Sequence, residues 1–95
     1  MANTRTRNDW TSEELYWRDH YQQRPYFEAG RDFDYYRPAY RFGFDARDRY
    51  EGDEWSDIES DLSRDWDEYK DRGRSTWQQV KDAVRDAWDR LTGDR

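Results

Sequence analysis

His20 is the only histidine among the 95 residues. Imidazole is the first group to weigh for acid–base chemistry, because its ordinary pKa lies near neutrality. A general base needs a proton donor within hydrogen-bond reach. The chain has no cysteine, and Tyr16, Trp17 and Tyr21 surround His20 without a signalled serine nucleophile. The expectation is a surface or packing histidine. Glu54, Asp57, Asp61, Asp65 and Glu68 fall at helical spacing. Such a stripe is either a solvated helix face or a weak attractant for divalent cations and basic partners. No stretch supplies oxygen ligands around a central glycine as an EF-hand loop does, and no phosphate-binding glycine loop occurs. No catalytic, metal-ligating or cofactor-binding residue is therefore assigned, no cofactor is expected, and the chain reads as non-enzymatic.

Stacking is the chemistry that remains. The sequence holds six Trp, eight Tyr and four Phe, interleaved with arginine and aspartate. Rings of this kind bind sugars or stack on bases when exposed. A net charge of −6 opposes nucleic-acid binding, which requires phosphate neutralisation. The acidic excess lies entirely in residues 51–95, with eight Lys/Arg against fourteen Asp/Glu. Residues 1–50 balance at nine Arg and nine Asp/Glu.

The elements that position these groups start with helix 1, expected at about 11–22. Thr11 reads as its N-cap and Glu14 completes a capping box. Trp10 and Leu15 stand at hydrophobic-staple spacing, and Pro25 ends the helix. Residues 1–9 read as a flexible arm. An Arg-Pro-x-aromatic-x-x-Gly pattern occurs twice, at Arg24–Gly30 and Arg37–Gly43. Proline at a first turn and glycine one turn later suit short helical turns. The second copy runs on to a stop at Gly52, which places helix 2 at about 38–50. The alternation Tyr40-Arg41-Phe42-Gly43-Phe44 also fits a strand, but no second strand pattern is present to pair with it.

The strongest periodicity lies in the last forty residues. Trp55, Ile58, Leu62, Trp66 and Tyr69 share one spacing with Trp77, Val80, Val84, Trp88 and Leu91. These ten residues are the expected structural core of two amphipathic helices, at about 54–71 and 76–91. Gly73 breaks the chain between them. Ser75 with Gln78 reads as the second helix's capping box, and Gly93 ends it. A connection this short makes the pair antiparallel. The fold class is all-α: a small three- to four-helix domain over 10–93, with a C-terminal antiparallel helical hairpin and a turn-rich aromatic connector.

Leu, Ile and Val number six and Phe four, too few for an aliphatic core. Two supplements are available. Arginine, at 15 residues against two lysines, stacks on rings while bonding carboxylates. The alternative is self-association. Tyr26, Phe27, Tyr35, Tyr36, Tyr40 and Phe42 are the possible interaction surface, toward a protein partner or a second copy in a homo-oligomer. No apolar run approaches the ~20 residues that span a bilayer, and the first residues lack the apolar middle of a secretory signal. The expectation is a cytoplasmic protein with no membrane and no nucleic-acid partner.

The segment Tyr36-Arg37-Pro38-Ala39-Tyr40-Arg41-Phe42-Gly43, with Val84-Arg85-Asp86-Ala87-Trp88, resembles a family of small uncharacterised bacterial proteins. That family shares a Tyr-x-Pro-Ala-Tyr-x-x-Gly core and a closing Val-Arg-x-Ala-Trp. The resemblance spans about residues 10–91 and implies a setting of general or envelope stress. It implies no enzyme and supplies no functional residues. The expected function is a non-enzymatic, stress-associated or protein-interaction module. The alternative is a ligand- or carbohydrate-binding module using exposed Trp and Tyr.

Overall fold

The structure, a computed structural model, describes residues 9–50, 52–69 and 75–92, with residues 91 and 92 described by backbone alone. Helix α1 spans Trp10–His20 and tightens into a 3-10 turn at Tyr21–Gln23; α2 spans Phe33–Arg49, α3 Trp55–Asp67 and α4 Trp77–Thr92. No strand occurs among the described residues, so the helical reading of residues 40–44 holds and the domain is all-α.

The starts of α1, α2 and α4 are set by side-chain caps that differ from those expected, whereas α3 starts after Glu54 without one. The Asp9 carboxylate accepts from the Ser12 N–H at 3.0 Å, so α1 begins before Thr11. Trp10 then lies inside the helix, and its ring meets Phe44 at 5.6 Å. Leu15 is 59% exposed and forms no staple. Helix α2 begins five residues earlier than expected, because Asp32 caps it by accepting from the Tyr35 N–H at 3.3 Å. Pro38 therefore sits within the helix and removes one backbone donor there. The capping box of α4 is shifted by one residue. Thr76 Oγ1 accepts from the Gln79 N–H at 3.4 Å, and Gln79 Oε1 accepts from the Thr76 N–H at 3.0 Å. Ser75 is instead buried, and its carbonyl accepts from Trp66 Nε1 at 2.9 Å. Gly52, at φ +88°, adopts the left-handed backbone that glycine permits just beyond α2. The stops expected at Gly73 and Gly93 lie outside the described residues, as do residues 1–8 of the arm expected over 1–9, whose last residue, Asp9, is instead held as the cap of α1.

Helices α3 and α4 run antiparallel. Arg85 lies over the Trp55 ring, Lys81 pairs with Glu59 at 3.6 Å, and Ser75 meets Trp66. Advancing along α3 thus retreats along α4. The most extensive helix pair, however, is α2 with α4. It meets through small residues: Ala39, Gly43 and Ala46 of α2 and Ala83 and Ala87 of α4, all buried. Their short side chains bring the two backbones close enough for the larger rings to pack on either flank.

Of the ten expected core residues, Trp55, Ile58, Leu62, Trp66, Trp77, Val80, Val84 and Trp88 are buried and Tyr69 is partly buried. The side chain of Leu91 is outside the description. The expected interaction surface is corrected. Tyr36, Tyr40 and Phe42 are 2%, 0% and 4% exposed and belong to the core. The early start of α2 brings Tyr36 into the helix one turn before Tyr40 on the same side, while Phe42 projects from another side toward Trp66. Phe42 packs edge-on against Trp66 and also meets Tyr69 and Trp77. Tyr40 lies flat on Trp17, with ring centroids 4.4 Å apart. Tyr26, Phe27 and Tyr35 remain half-buried at the edge.

Candidate binding site

Arginine completes the packing in one repeated arrangement. Seven arginines among the described residues lie over an aromatic ring: Arg18 on Phe33, Arg31 on Tyr35, Arg37 and Arg41 on Trp10, Arg49 on Tyr50, Arg85 on Trp55 and Arg90 on Tyr16. Each also pairs with a carboxylate: in the same order Glu14, Glu28, Glu14, Asp45, Asp65, Asp89 and Glu13. A planar guanidinium can offer a face to a ring and N–H groups to an acid at once. The Arg37 hydrogen bond holds the Glu14 carboxyl below its ordinary range. Glu13 is the most enclosed acid of the set, 1% exposed, with Arg90 Nε at 2.9 Å. Arg47 differs. It is largely buried, with Asp48 at 3.5 Å, and its Nε and Nη2 find no hydrogen-bond partner.

The groups first weighed for chemistry are used structurally. His20 stacks on Tyr16 at 4.0 Å, and its Nδ1 is 2.7 Å from the Tyr16 carbonyl oxygen. A carbonyl only accepts, so Nδ1 carries the proton. In the acidic stripe, Asp61 pairs with Arg64, while Asp65 receives Arg49 and the Tyr50 hydroxyl. No group of three or more His, Asp or Glu among the described residues is placed to hold a metal. No helix among them is long and apolar enough to cross a membrane.

Residues 24–32 join α1 to α2 and are pinned on both sides. Arg24 forks onto Asp86 of α4, with Nε to Oδ2 at 2.7 Å and Nη2 to Oδ1 at 3.1 Å. The Tyr26 hydroxyl donates to Asp86 Oδ2 at 2.8 Å and lies 2.7 Å from the Tyr40 hydroxyl. Tyr26 has one proton and gives it to the carboxylate, so Tyr40 donates to Tyr26. Burial, with the neighbouring phenol and carboxylate, raises the pKa of Tyr26. Burial first, and the nearby Asp86 carboxylate with it, also raises that of Tyr40. On the α2 side, the Tyr36 hydroxyl accepts from the Glu28 N–H at 3.0 Å.

No protein-family model, curated protein or solved structure matches this chain. The site is therefore read from geometry. Two depressions compete. The larger, about 540 Å³, runs along α2 between Asp34, Arg37, Arg41, Asp45 and Tyr69. Its arginines are spent on Glu14, Asp45 and the Trp10 ring. The smaller, about 390 Å³, opens between the connector, α2 and the first turns of α4. Tyr26, Phe27, Tyr35, Gln78 and Asp82 are among the residues that line it. Here polar capacity is unspent. The Tyr35 hydroxyl is buried without a hydrogen-bond partner, and among the described residues none makes an ion pair or hydrogen bond with the exposed Asp82 or Gln78 side chains. A buried polar atom in that state costs about 1–3 kcal/mol and calls for an explanation.

Sequence reasoning placed Tyr26, Phe27 and Tyr35 at a surface, and the structure brings these three together in this cleft. It missed the α4 wall. Gln78 was assigned to the Ser75 capping box, and the one-residue shift of that box to Thr76 and Gln79 releases it to face the cleft. Asp82, one turn further on, had no signal beyond being a charged residue on the polar side of α4.

Proposed function

We propose that this chain is a non-enzymatic protein-interaction module that receives its partner in the cleft between the connector and α4. One observation carries the reading. The cleft is where half-buried rings adjoin a buried hydroxyl without a hydrogen-bond partner and two exposed polar side chains, Gln78 and Asp82, that no described residue engages. Tyr36, Tyr40 and Phe42 are consumed by the core, which takes them from any broad aromatic surface for self-association and favours a different protein as partner. The stress-associated setting rests on the resemblance to the small bacterial family. The same rings with an amide and a carboxylate also suit a carbohydrate, which is the second reading.

A photoreactive residue placed at Gln78 tests the proposal, with the same residue at exposed Gln22 as control. Adducts with another protein from position 78 and not from 22 are expected. Homodimer adducts alone, or equal labelling at both positions, would refute it. Saturable binding of a sugar in the cleft would move the assignment to the second reading.

A further inference from the structure

The ring, guanidinium and carboxylate arrangement recurs seven times, and each time the chain supplies its own arginine. In the cleft the pattern is left open. Tyr26 and Phe27 of the connector and Asp82 of α4 line the same cleft, and no described arginine lies over either ring. Beside them Arg31 lies over Tyr35 at 4.2 Å while pairing with Glu28 at 3.1 Å. That closed triad on the cleft rim shows how a guanidinium seats there. The charges lining the cleft are Glu28 and Asp82 against Arg31, an excess of one acid in a chain of net charge −6.

We infer that the cleft captures an arginine side chain of the partner protein, its guanidinium placed on the Tyr26/Phe27 rings and forked by Asp82. The inference rests on the cleft being the binding face. Arginine suits it better than lysine, because a planar fork matches both a ring face and a carboxylate edge, whereas an ammonium is a point charge with stronger hydration. Gln78, exposed on the cleft's α4 side, adds neutral hydrogen-bonding capacity for the peptide backbone that carries the arginine. The volume, about 390 Å³, accommodates one long side chain and its flanking peptide groups.

The test is a titration of the ¹⁵N-labelled full chain with acetyl-Gly-Arg-Gly-amide, followed by backbone NMR shifts. The Lys and citrulline tripeptides and maltose run in parallel. Saturable shifts confined to residues 25–36 and 78–82 are expected for the arginine peptide. Asp82→Asn is expected to weaken it roughly tenfold, the loss of one charge-assisted hydrogen-bond pair. Asp34→Asn, in the α2 groove, should leave it unchanged, and citrulline should not bind. Equal binding of the lysine peptide, or insensitivity to Asp82→Asn, would overturn the arginine assignment while leaving the cleft as binding face. So would maltose shifting these amides in place of the peptide. Concentration-dependent shifts at the same residues without any ligand would overturn it in favour of a second copy. If no probe shifts the cleft, both this inference and the binding reading beneath it fail.

Discussion

Gly43 on α2 lies against the backbone of Val84 on α4. A Cβ at Gly43 would stand 2.5 Å from the Val84 carbonyl oxygen and 2.9 Å from the Ala87 Cβ. Two effects oppose each other in Gly43→Ala. Alanine in a helix gains up to about 1 kcal/mol over glycine, and overpacking a tight contact costs about 1–3 kcal/mol. The obstructing atom belongs to the backbone and cannot rotate away, so the second effect wins. Gly43→Ala should lose about 1–2 kcal/mol in urea titration, and Gly43→Val more. A Gly43→Ala chain as stable as the parent would show that the helices do not meet this closely.

Trp66 is fully buried and its indole N–H is bonded to the Ser75 carbonyl. Trp66→Ala should cost about 3–5 kcal/mol, as large truncations in a core do. Trp66→Phe keeps most of the volume and isolates the loss of that hydrogen bond, about 1–3 kcal/mol with the carbonyl left buried. Thermal unfolding of the two variants should separate these contributions. A loss below about 1 kcal/mol in Trp66→Ala would remove the hairpin stripe from the core.

Arg90 reaches Glu13 across 77 positions of sequence and lies 3.5 Å from the Tyr16 ring centroid. Removing the cation from so enclosed a carboxylate should be worse than removing both charges. Arg90→Ala is expected to cost on the order of 3 kcal/mol, and the double replacement Glu13→Met with Arg90→Met to recover much of it. A double-mutant cycle checks this. Strict additivity would mean the pair is not coupled.

Tyr26 and Tyr40 have phenol pKa values raised by burial. The unfolded chain ionises them near pH 10 while the folded chain retains their protons. Their contribution is therefore complete below about pH 10 and is lost as pH rises toward the folded values. Each phenol so held should remove about 1.4 kcal/mol of stability per pH unit above about pH 10. Absorbance at 295 nm should show these two phenols titrating only with unfolding. Tyr26→Phe should make the alkaline decline shallower, and an unchanged slope would contradict the buried network.

The periodicity of Trp55 to Tyr69 and Trp77 to Trp88 made the C-terminal hairpin legible, because an amphipathic stripe is local information. The α2–α4 contact was not legible. It depends on Ala39, Gly43, Ala46, Ala83 and Ala87, which carry little hydropathy and reveal their role only when two backbones approach. Gly43 does not declare its role either, since a glycine that permits close packing and one that permits a turn look alike in sequence. The helix starts moved because Asp9 competes with Thr11 to cap α1 and Asp32 caps α2 upstream of Pro38, and aspartate accepts well at an N-cap. Tyr36 and Tyr40 went inward with their hydroxyls bonded to Glu28 N–H and Tyr26, a solution that requires the connector to fold back over α2. Half of the cleft was visible as an aromatic cluster. Its α4 wall comes from residues more than forty positions away.

The arginine triads make this fold unusually sensitive to the choice of denaturant. Guanidinium chloride delivers in bulk the same cation that bridges ring and carboxylate at seven places, whereas urea carries no charge to compete. Guanidinium chloride ordinarily acts about twice as strongly as urea on a protein of given size. Here direct displacement should add to that, so the two midpoints should differ by clearly more than twofold. Sodium chloride at matched ionic strength would account for screening alone, leaving the excess as a measure of how much of the architecture rests on arginine.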